Sequence, residues 1–465
     1  MAKSKKTIFA LVVVLVVALG VSLCACNDSS ANNYYNTVVS ITKTKTEGLV
    51  DTYTITFSDG STYDFTVTNG RNGVDGEDGT NTKITVEDLY EAAKTAGYTG
   101  TLADFINENL QVTAPEAVSS MVSKAAYGTV LVVSNFTKSG ASSEKYASAG
   151  SGIIYKLDKE KGNAYVVTNY HVVYDSGAST SDHVSDNVEV MLYGSEYLDY
   201  AIPATYVGGS MTYDIAVLKI ENSEFLKSSN ATQAVLGSSE SVSAGDAAIA
   251  IGNAKGSGTS VTAGIVSIDS EYLEMTAADE KTAVTYRVMR IDTPVNKGNS
   301  GGGLFNAQGE VIGIVNAKNV ESTVESIGYA IPVDLVKKVV DNLLYYNVTT
   351  GEKNGYKPVL GITVSGLDSK AIYDAAKQKS VIKENVTVKS VAAGTAAETA
   401  GFKEGDVITK VKLGGKEYET DRMYKLIDLV LLQHVGDEVE YTVLRGGETV
   451  TITWTVTAGQ MTKIS

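Results

Sequence analysis

Cysteine is nearly absent from this chain of 465 residues, which has only Cys24 and Cys26, both close to the start. No disulfide framework or cysteine-based zinc site is therefore available to the folded domains, and we expect no metal or organic cofactor. Positive charge is also scarce, with 39 Lys and Arg against 54 Asp and Glu and a formal net charge of −15. Because phosphate backbones are bound by concentrated positive charge, we exclude nucleic acid as a partner.

The first 26 residues predict a targeting segment. Three lysines precede a nearly continuous apolar run from Ile8 to Val21, whose length fits a secretory signal better than a transmembrane span. The run ends in Leu-Cys-Ala-Cys at 23–26, which resembles a bacterial lipoprotein signal with Cys26 as the lipidated residue. Cys24 is the weaker candidate because the bulky Leu23 precedes it, and an uncleaved anchor is the alternative. Either way we expect an extracytoplasmic protein that is anchored to the cell membrane.

Residues 27–112 predict a small appendage that follows the signal. A polar tether over 27–36 leads to a β-hairpin module over 37–69, whose alternating strands 51–57 and 62–67 flank a Ser-Asp-Gly-Ser turn. Glycines at every third position predict a Gly-x-y linker over 70–82, since the repeat is too short for a collagen triple helix. Two capping-box patterns predict a helical hairpin over 83–112. Cell-wall binding is one hypothesis for the function of this appendage.

The rest of the chain favours a mostly β fold. Runs rich in Val, Ile, Thr and Tyr recur from 115 to 346 without regular alternation of strands and helices. This pattern excludes a doubly wound parallel sheet and leaves antiparallel barrels or a sandwich. A helix that begins near Pro332 closes the region, a linker is predicted over 347–356, and a second β-rich module over 357–458.

Three residues in this region form a candidate catalytic set. Ser300 lies within Gly-Asn-Ser-Gly-Gly at 298–302, where small neighbours let a substrate backbone approach. His171, one of only three histidines, ends an apolar β-type run and would supply the base that such a serine needs. Asp214 opens the apolar run 214–220 and suits the carboxylate behind that base. The order His, Asp, Ser is that of chymotrypsin-type double barrels.

Five motifs then resemble the HtrA/DegP family of serine proteases in order and spacing. They are Thr-Asn-Tyr-His-Val-Val at 168–173, Asp-Ile-Ala-Val-Leu-Lys at 214–219, Gly-Ile-Val-Ser at 264–267, the serine segment at 298–302, and Gly-Tyr-Ala-Ile-Pro at 328–332. The resemblance implies a chymotrypsin-like double β-barrel over 115–346. It also implies that Ser300 attacks the scissile carbonyl, that His171 transfers protons and that Asp214 orients the histidine.

The resemblance also implies an oxyanion hole and a specificity pocket. The oxyanion hole would use the backbone N–H groups of Gly298 and Ser300, with Asn299 as a further donor. Residues 313–317 would edge the pocket, and we assign it to Ile314, Val315 and Asn316. No acidic residue occurs there, so we expect aliphatic substrate side chains and not Arg or Lys.

Two positions depart from the family pattern. Many relatives carry proline at the position of Lys297, and proline or alanine at the position of Gly303, beside the serine motif. A looser oxyanion loop would follow, so the alternative is a catalytically weak or inactive chaperone or scaffold at the cell surface.

The module at 357–458 resembles the PDZ domains of the same family. Leu360, Gly361 and Ile362 resemble their carboxylate-binding loop, and the segments 390–397 and 400–408 resemble their middle part. The resemblance implies an α+β domain that binds peptide C-termini by adding a strand to a sheet edge. For the whole chain it implies an endopeptidase for misfolded or unfolded extracytoplasmic proteins, with a homotrimer as the assembly.

Overall fold

The computed structural model describes most of the chain. The described ranges are 38–47, 50–57, 60–68, 86–95, 98–102, 115–140, 143–195, 200–253, 258–317, 327–375 and 379–464. They belong to two compact units, Met1–Gln111 and Val112–Ser465. Among these residues no helix has both the length and the apolar character needed to cross a membrane.

The first unit contains a three-stranded antiparallel sheet where the sequence predicts a hairpin. Strands β2 (Val50–Phe57) and β3 (Thr62–Thr68) are the predicted pair, and β1 (Val38–Glu47) adds to the free edge of β2. The pattern did not predict β1 because its side chains are mostly polar and exposed, so it shows little apolar alternation. Helix α1 (Val86–Thr95) is the first helix of the predicted helical hairpin. The second predicted helix, the Gly-x-y segment, the tether and the signal lie wholly or mostly outside the described residues.

The second unit begins with helix α2 (Pro115–Ala125), which the sequence prediction missed, and continues into a closed six-stranded barrel. The barrel runs in the order β4-β5-β6-β9-β8-β7. Its strands are β4 (Thr129–Thr137), β5 (Lys145–Asp158), β6 (Asn163–Thr168), β7 (Asn187–Leu192), β8 (Ile202–Ser210) and β9 (Ile215–Ile220). Strand β8 contains a proline and two glycines, residues that are depleted in strands, so its sequence carries only a weak strand pattern. Short helices α3 (Tyr170–Val173) and α4 (Glu224–Ser228) complete this part.

A second closed barrel follows in the order β10-β11-β12-β15-β14-β13. Its strands are β10 (Ala247–Gly252), β11 (Ser260–Thr276), β12 (Ala283–Ile291), β13 (Gly303–Phe305), β14 (Val311–Asn316) and β15 (Gly328–Pro332). The two barrels meet in one apolar cluster, which includes Ile153 and Val217 from the first barrel and Phe305 and Ile314 from the second. The predicted mostly β, double-barrel fold is confirmed.

Helix α5 (Val333–Thr350) covers this cluster with its apolar face. Pro332 precedes its first turn, as predicted, and Gly351 ends it at a φ of +75°. The helix therefore extends four residues into the segment 347–356 that was predicted as a linker. Strand β16 (Tyr356–Pro358) follows almost at once and pairs with β23 (Met461–Lys463), beyond the predicted end of the C-terminal module.

The C-terminal module is an α+β domain around its own apolar core. Its sheet runs in the order β17-β18-β19-β21-β22, and β20 pairs with β19. The elements are β17 (Ile362–Asp374), β18 (Lys379–Val391), α6 (Ala396–Ala400), β19 (Val407–Leu413), β20 (Lys416–Glu419), α7 (Met423–Leu429), β21 (Glu438–Arg445) and β22 (Glu448–Thr455). Strand β17 stands at one end of this order, so only one of its edges is paired within the sheet.

Helix α7 joins this module to the second barrel through charged groups. Arg287 on β12 donates to Asp428 at 2.6 Å, and only 5% of either side chain is exposed. The Arg287 guanidinium also lies 4.3 Å from the ring centre of Tyr424. At the start of the helix, Arg422 donates to Asp269 of β11 at 3.0 Å. The buried charges of Arg287 and Asp428 each need the other as a partner, so this pair holds the module against the barrel.

Candidate active site

The residues predicted to form the active site lie where the two barrels meet, and the first barrel supplies His171 and Asp214. Asn169, at the start of α3, has the extended backbone of a helix N-cap and places His171 in the first turn. Asp214 ends the turn between β8 and β9 with a left-handed φ of +51°. Non-glycine residues seldom adopt this region except Asn and Asp, so the position suits aspartate better than most side chains.

Hydrogen bonds join Asp214 to His171, Asn316 and Asn169. Its Oδ2 lies 2.7 Å from His171 Nδ1 and its Oδ1 accepts the backbone N–H of His171 at 3.0 Å. Asn316 Nδ2 donates to Oδ2 at 2.9 Å, and Asn169 Nδ2 donates to the Asp214 carbonyl at 2.9 Å. The carboxylate is almost fully buried and 19% of the histidine side chain is exposed. The acid is thus bonded on both oxygens, while the imidazole faces the site.

The second barrel supplies Ser300 from the turn that leads into β13. Gly301 adopts a φ of +85°, and a Cβ there would stand 2.1 Å from Ser151 O, so only glycine fits. Two bonds to β14 hold the turn, from Gly301 N–H to Val315 O at 3.0 Å and from Val315 N–H to Gly302 O at 2.9 Å.

Ser151 of β5 holds the same turn from the other barrel. Its backbone N–H donates to Ser300 O at 2.7 Å and its hydroxyl donates to Gly298 O at 2.7 Å. The Ser151 hydroxyl also accepts the N–H of Asn253 at 2.8 Å, and Thr168 donates to the Ser151 carbonyl at 2.7 Å. Ser151 is not among the predicted site residues, because its only local signal is a pair of flanking glycines in an apolar strand.

The Ser300 hydroxyl itself accepts the backbone N–H of Ala317 at 3.3 Å. Within the part of the chain that the structure describes, no hydrogen bond joins Ser300 Oγ to His171. Such contacts are often long in proteases without substrate and form only when the substrate binds. The two halves of the predicted triad therefore lie in one site with the serine oxygen bonded elsewhere.

The predicted oxyanion residues differ in how their N–H groups are used. Asn299 N–H donates to Asn296 O at 3.0 Å, which commits that donor within the turn. No described residue accepts the N–H of Gly298 or of Ser300. Gly298 has a φ of +99°, a conformation that glycine adopts without strain. The geometry thus leaves two of the three expected donors for a ligand and engages Asn299.

The three residues assigned to the specificity pocket lie on β14 and are all buried. Ile314 packs in the cluster between the barrels, and Val315 packs in the core of the second barrel. Asn316 contacts the triad through its bond to Asp214. No local sequence pattern indicates this contact, because it joins residues 102 positions apart. Residues 318–326, which follow, lie outside the described residues, so the pocket itself stays a prediction.

Lys297 and Gly303, the two departures from the family pattern, have different surroundings. The Lys297 side chain is exposed beside the serine turn. Gly303 is buried in β13, where a Cβ would stand 2.5 Å from the Phe305 ring. Glycine at 303 therefore accommodates an aromatic ring of the inter-barrel core, which gives this departure a packing reason.

Leu360, Gly361 and Ile362 form the turn into β17. The carbonyl of Leu360 accepts Ala397 N–H at 2.9 Å, and that of Gly361 accepts Ala392 N–H at 2.9 Å. Gly361 has a φ of +93°, and a Cβ there would stand 2.4 Å from Thr395 Cβ. Because the carbonyls of Leu360 and Gly361 are hydrogen-bonded within the domain, this loop is held in place beside the unpaired edge of β17.

Comparisons with known proteins agree with this architecture. Residues 150–314 match the family described as "Trypsin-like peptidase domain", and residues 358–456 match "PDZ domain". The Serine protease Do-like HtrA of Lactococcus lactis subsp. cremoris (strain MG1363) is 34% identical over 366 residues, which are 74% of this chain and 82% of that protein. The Serine protease Do-like HtrB of Bacillus subtilis (strain 168) is 36% identical over 318 residues, 66% of this chain and 62% of that protein.

Among solved structures, "HtrA-type protease AlgW with tripeptide" is 26% identical and covers 73% of this chain and 96% of that one, with a TM-score of 0.47. From the two domain matches and the identity to the Lactococcus lactis protein, we conclude that the chain belongs to the HtrA family of serine proteases. It is a serine endopeptidase with a trypsin-like peptidase domain and a PDZ domain.

Proposed function

We propose that this endopeptidase cleaves misfolded or unfolded proteins outside the cytoplasm, with Ser300, His171 and Asp214 as its catalytic triad. The observation that carries the triad is the Asp214 carboxylate, which is bonded to the histidine ring at 2.7 Å and to the histidine backbone at 3.0 Å. This pair of bonds fixes both the position and the tautomer of the imidazole. An Nδ1–H that donates to Asp214 leaves Nε2 as the base.

In the proposed reaction Ser300 Oγ leaves Ala317 N–H and attacks the scissile carbonyl carbon. His171 Nε2 takes the hydroxyl proton and then gives it to the leaving amine, which yields an acyl-enzyme and the first product. Water then attacks the ester with the same histidine as base, and Ser300 recovers its proton. Asp214 stays ionised and stabilises the imidazolium in both halves of the cycle.

The oxyanion would be bound by the N–H groups of Gly298 and Ser300, which no described residue accepts. Two donors that point at the developing charge provide the main electrostatic stabilisation, and losing one typically costs about 10²–10³ in rate. We leave Asn299 out of this role because its N–H is bonded to Asn296 O. An apolar pocket edged by β14 would select aliphatic side chains, and cleavage products that end mainly in Lys or Arg would contradict this.

The PDZ domain would capture the C-terminal segment of a substrate. The free edge of β17 offers the pairing surface, and the anchored loop at 360–362 stands at the end where a carboxylate would bind. Unfolded proteins expose such extended segments, whereas folded proteins keep most of theirs paired. This supports unfolded chains as the substrate class.

Membrane anchoring and assembly are further parts of the proposal. The lipoprotein-type motif at 23–26 supports a lipid on Cys26 that holds the enzyme at the outer face of the membrane. A homotrimer is proposed from the family resemblance alone. Fractionation of cells that express the parent chain or Cys26→Ala tests the anchor, since only the parent should stay with the membrane. Light scattering on residues 27–465 tests the trimer through its mass.

Casein digestion by purified residues 27–465 tests the activity and the nucleophile together. We expect the parent to produce fragments and Ser300→Ala to produce none. His183→Ala is the control, because this second histidine contacts Tyr174 and not the triad. If neither parent nor variant cleaves casein, even with peptides added to occupy the PDZ domain, the chaperone or scaffold alternative replaces the proposal.

A further inference from the structure

The turn that carries Asp214 is held by three groups outside the triad. This turn comprises residues 211–214 between β8 and β9. Tyr286 of β12 donates its hydroxyl to Met211 O at 3.1 Å, and burial raises the pKa of Tyr286, which keeps this donor protonated. Lys357 of β16 donates to Tyr213 OH at 3.0 Å. The third group is Ser210, the last residue of β8.

Ser210 connects the turn to a distant part of the chain. Its side chain is fully buried, its hydroxyl donates to the carbonyl of Ile464, and the same oxygen accepts Tyr213 N–H at 3.2 Å. A hydroxyl that donates and accepts at once is fixed in rotation by its two partners. The Ile464 carbonyl thereby determines where Ser210 Oγ points, and Ser210 Oγ holds the peptide one residue before Asp214.

The segment Met461–Ile464 is built into the protease domain although it follows the PDZ domain. Strand β23 pairs with β16, and Ile464 N–H donates to Gly355 O at 3.0 Å. The Ile464 side chain is 1% exposed and belongs to the inter-barrel cluster, which also contains Ile215, the residue after Asp214. A Cβ on Gly355 would stand 2.7 Å from Ile464 Cδ1. This close packing of Ile464 against Gly355 indicates that the segment occupies a defined position in the protease domain.

We infer that the segment Met461–Ile464 positions the catalytic carboxylate and that Ser210 is the positioning residue through which it acts. The inference rests on the proposed role of Asp214. Neither Ser210 nor the segment contacts the catalytic atoms; they act by fixing the turn from which Asp214 reaches His171. Removing the Ile464 carbonyl leaves a buried hydroxyl without its acceptor, so the hydroxyl turns and releases Tyr213 N–H. A shift of the acid by a fraction of an ångström weakens catalysis without changing how substrate binds.

The test compares Ser210→Ala, and a chain that ends at Gln460, with the parent on a fluorogenic unfolded substrate. We expect kcat to fall at least about tenfold in both, with KM within about twofold of the parent. Ser134→Ala is the matched control, because Ser134 is also fully buried in the first barrel and its hydroxyl has no partner among the described residues. Thermal unfolding of each variant sets the assay temperature well below the lowest midpoint.

Two further variants separate positioning from loss of stability. Ser210→Thr keeps the hydroxyl, and we expect it to recover most of the lost kcat. Ser210→Ala in the chain that ends at Gln460 should be no slower than either single change, since both remove the same interaction. If the shortened chain does not fold, the kcat of Ser210→Ala is compared with the kcat values of Ser134→Ala and Ser210→Thr. That comparison alone then tests the positioning role of Ser210.

The inference is overturned by an unchanged kcat in Ser210→Ala, by an equal fall in Ser134→Ala, or by a loss that Ser210→Thr does not recover. Its failure is distinguishable from that of the proposed triad. If Asp214→Asn abolishes activity while Ser210→Ala does not change it, only the positioning role is wrong. If Asp214→Asn also keeps full activity, the triad assignment is wrong as well.

Discussion

The histidine–aspartate half of the site and the serine half differ in how their hydrogen bonds are arranged. Asp214 already makes the bonds its proposed role requires, to the His171 ring and backbone and to Asn316. Ser300 Oγ instead accepts Ala317 N–H at 3.3 Å, and the N–H groups of Gly298 and Ser300 have no described acceptor. The half that orients the base is thus fixed before substrate arrives, while the half that contacts substrate has groups still to engage.

The two halves are also connected to different parts of the C-terminal region. The serine turn belongs to the second barrel, and the aspartate turn belongs to the first. The PDZ domain contacts the second barrel, which carries the serine turn, through Arg287 and Asp428 and through Arg422 and Asp269. The segment that follows the PDZ domain instead reaches the aspartate turn of the first barrel through Ser210.

The largest expected effect comes from breaking the fixed half with Asp214→Asn. An amide cannot accept all the bonds that this carboxylate accepts, and its NH₂ group opposes the His171 N–H donors. We expect kcat to fall by about 10⁴ with folding retained, the magnitude known for the equivalent change in the serine protease triad. Steady-state kinetics on casein measures it, and Asp158→Asn, an acid on the far end of β5, serves as control. If Asp214→Asn keeps more than about a tenth of the parent's kcat, the proposed role of Asp214 in orienting His171 is wrong.

Gly301→Ala tests the serine half through its backbone. The new Cβ would stand 2.1 Å from Ser151 O and 2.4 Å from Thr168 Oγ1 at a φ of +85°, so the turn must move. We expect kcat to fall by about 10² or more, because the Ser300 hydroxyl and the oxyanion donors move with it. Gly394→Ala is the control, since Gly394 also has a positive φ but no atom within 4 Å of its Cβ position. Equal activity in the two variants would show that the turn is not held as described.

Asn316→Ala asks how much the second barrel contributes to the fixed half. It removes one of the bonds to the Asp214 carboxylate, and a buried bond to a charged group is worth about 1.5–3 kcal/mol. Part of that loss appears in stability, so we expect kcat to fall about tenfold with KM unchanged. Asn347→Ala, which removes a bond to the carbonyl of Val207 and none to the carboxylate, is the control. A rise in KM with unchanged kcat would instead place Asn316 in the substrate pocket, as first predicted.

The buried pair of Arg287 and Asp428 gives an effect mainly on stability. Asp428→Ala leaves an uncompensated buried guanidinium, and we expect a loss of about 3–5 kcal/mol in the free energy of unfolding. Replacing both residues, as in Arg287→Met with Asp428→Leu, should recover most of it. Chemical denaturation of residues 27–465 measures both, with Lys410→Met, an exposed ion-pair member, as control. If the double variant is no more stable than Asp428→Ala, the pair is not the cause.

The sequence predicted the parts of the fold and site that depend on local pattern. His171, Asp214 and Ser300 were predicted from short motifs. The structure places them at the junction of two β-barrels, which agrees with the predicted mostly β fold. Ser151, Asn316 and Ser210 are hydrogen-bonded to partners that lie 102 to 254 positions away in the chain, so no local pattern reveals them. Strand β1 was missed because polar, exposed residues carry no apolar period. The engagement of Asn299 N–H depends on the fold of its turn, which the composition of the motif does not specify.

Covalent labelling of residues 27–465 with a fluorophosphonate, followed by intact mass and peptide mapping, identifies the nucleophile directly. We expect one adduct, on Ser300, that forms rapidly in the parent, far more slowly in His171→Ala and not at all in Ser300→Ala. An enzyme that cleaves casein yet is labelled elsewhere or not at all would contradict the proposed nucleophile and its histidine base.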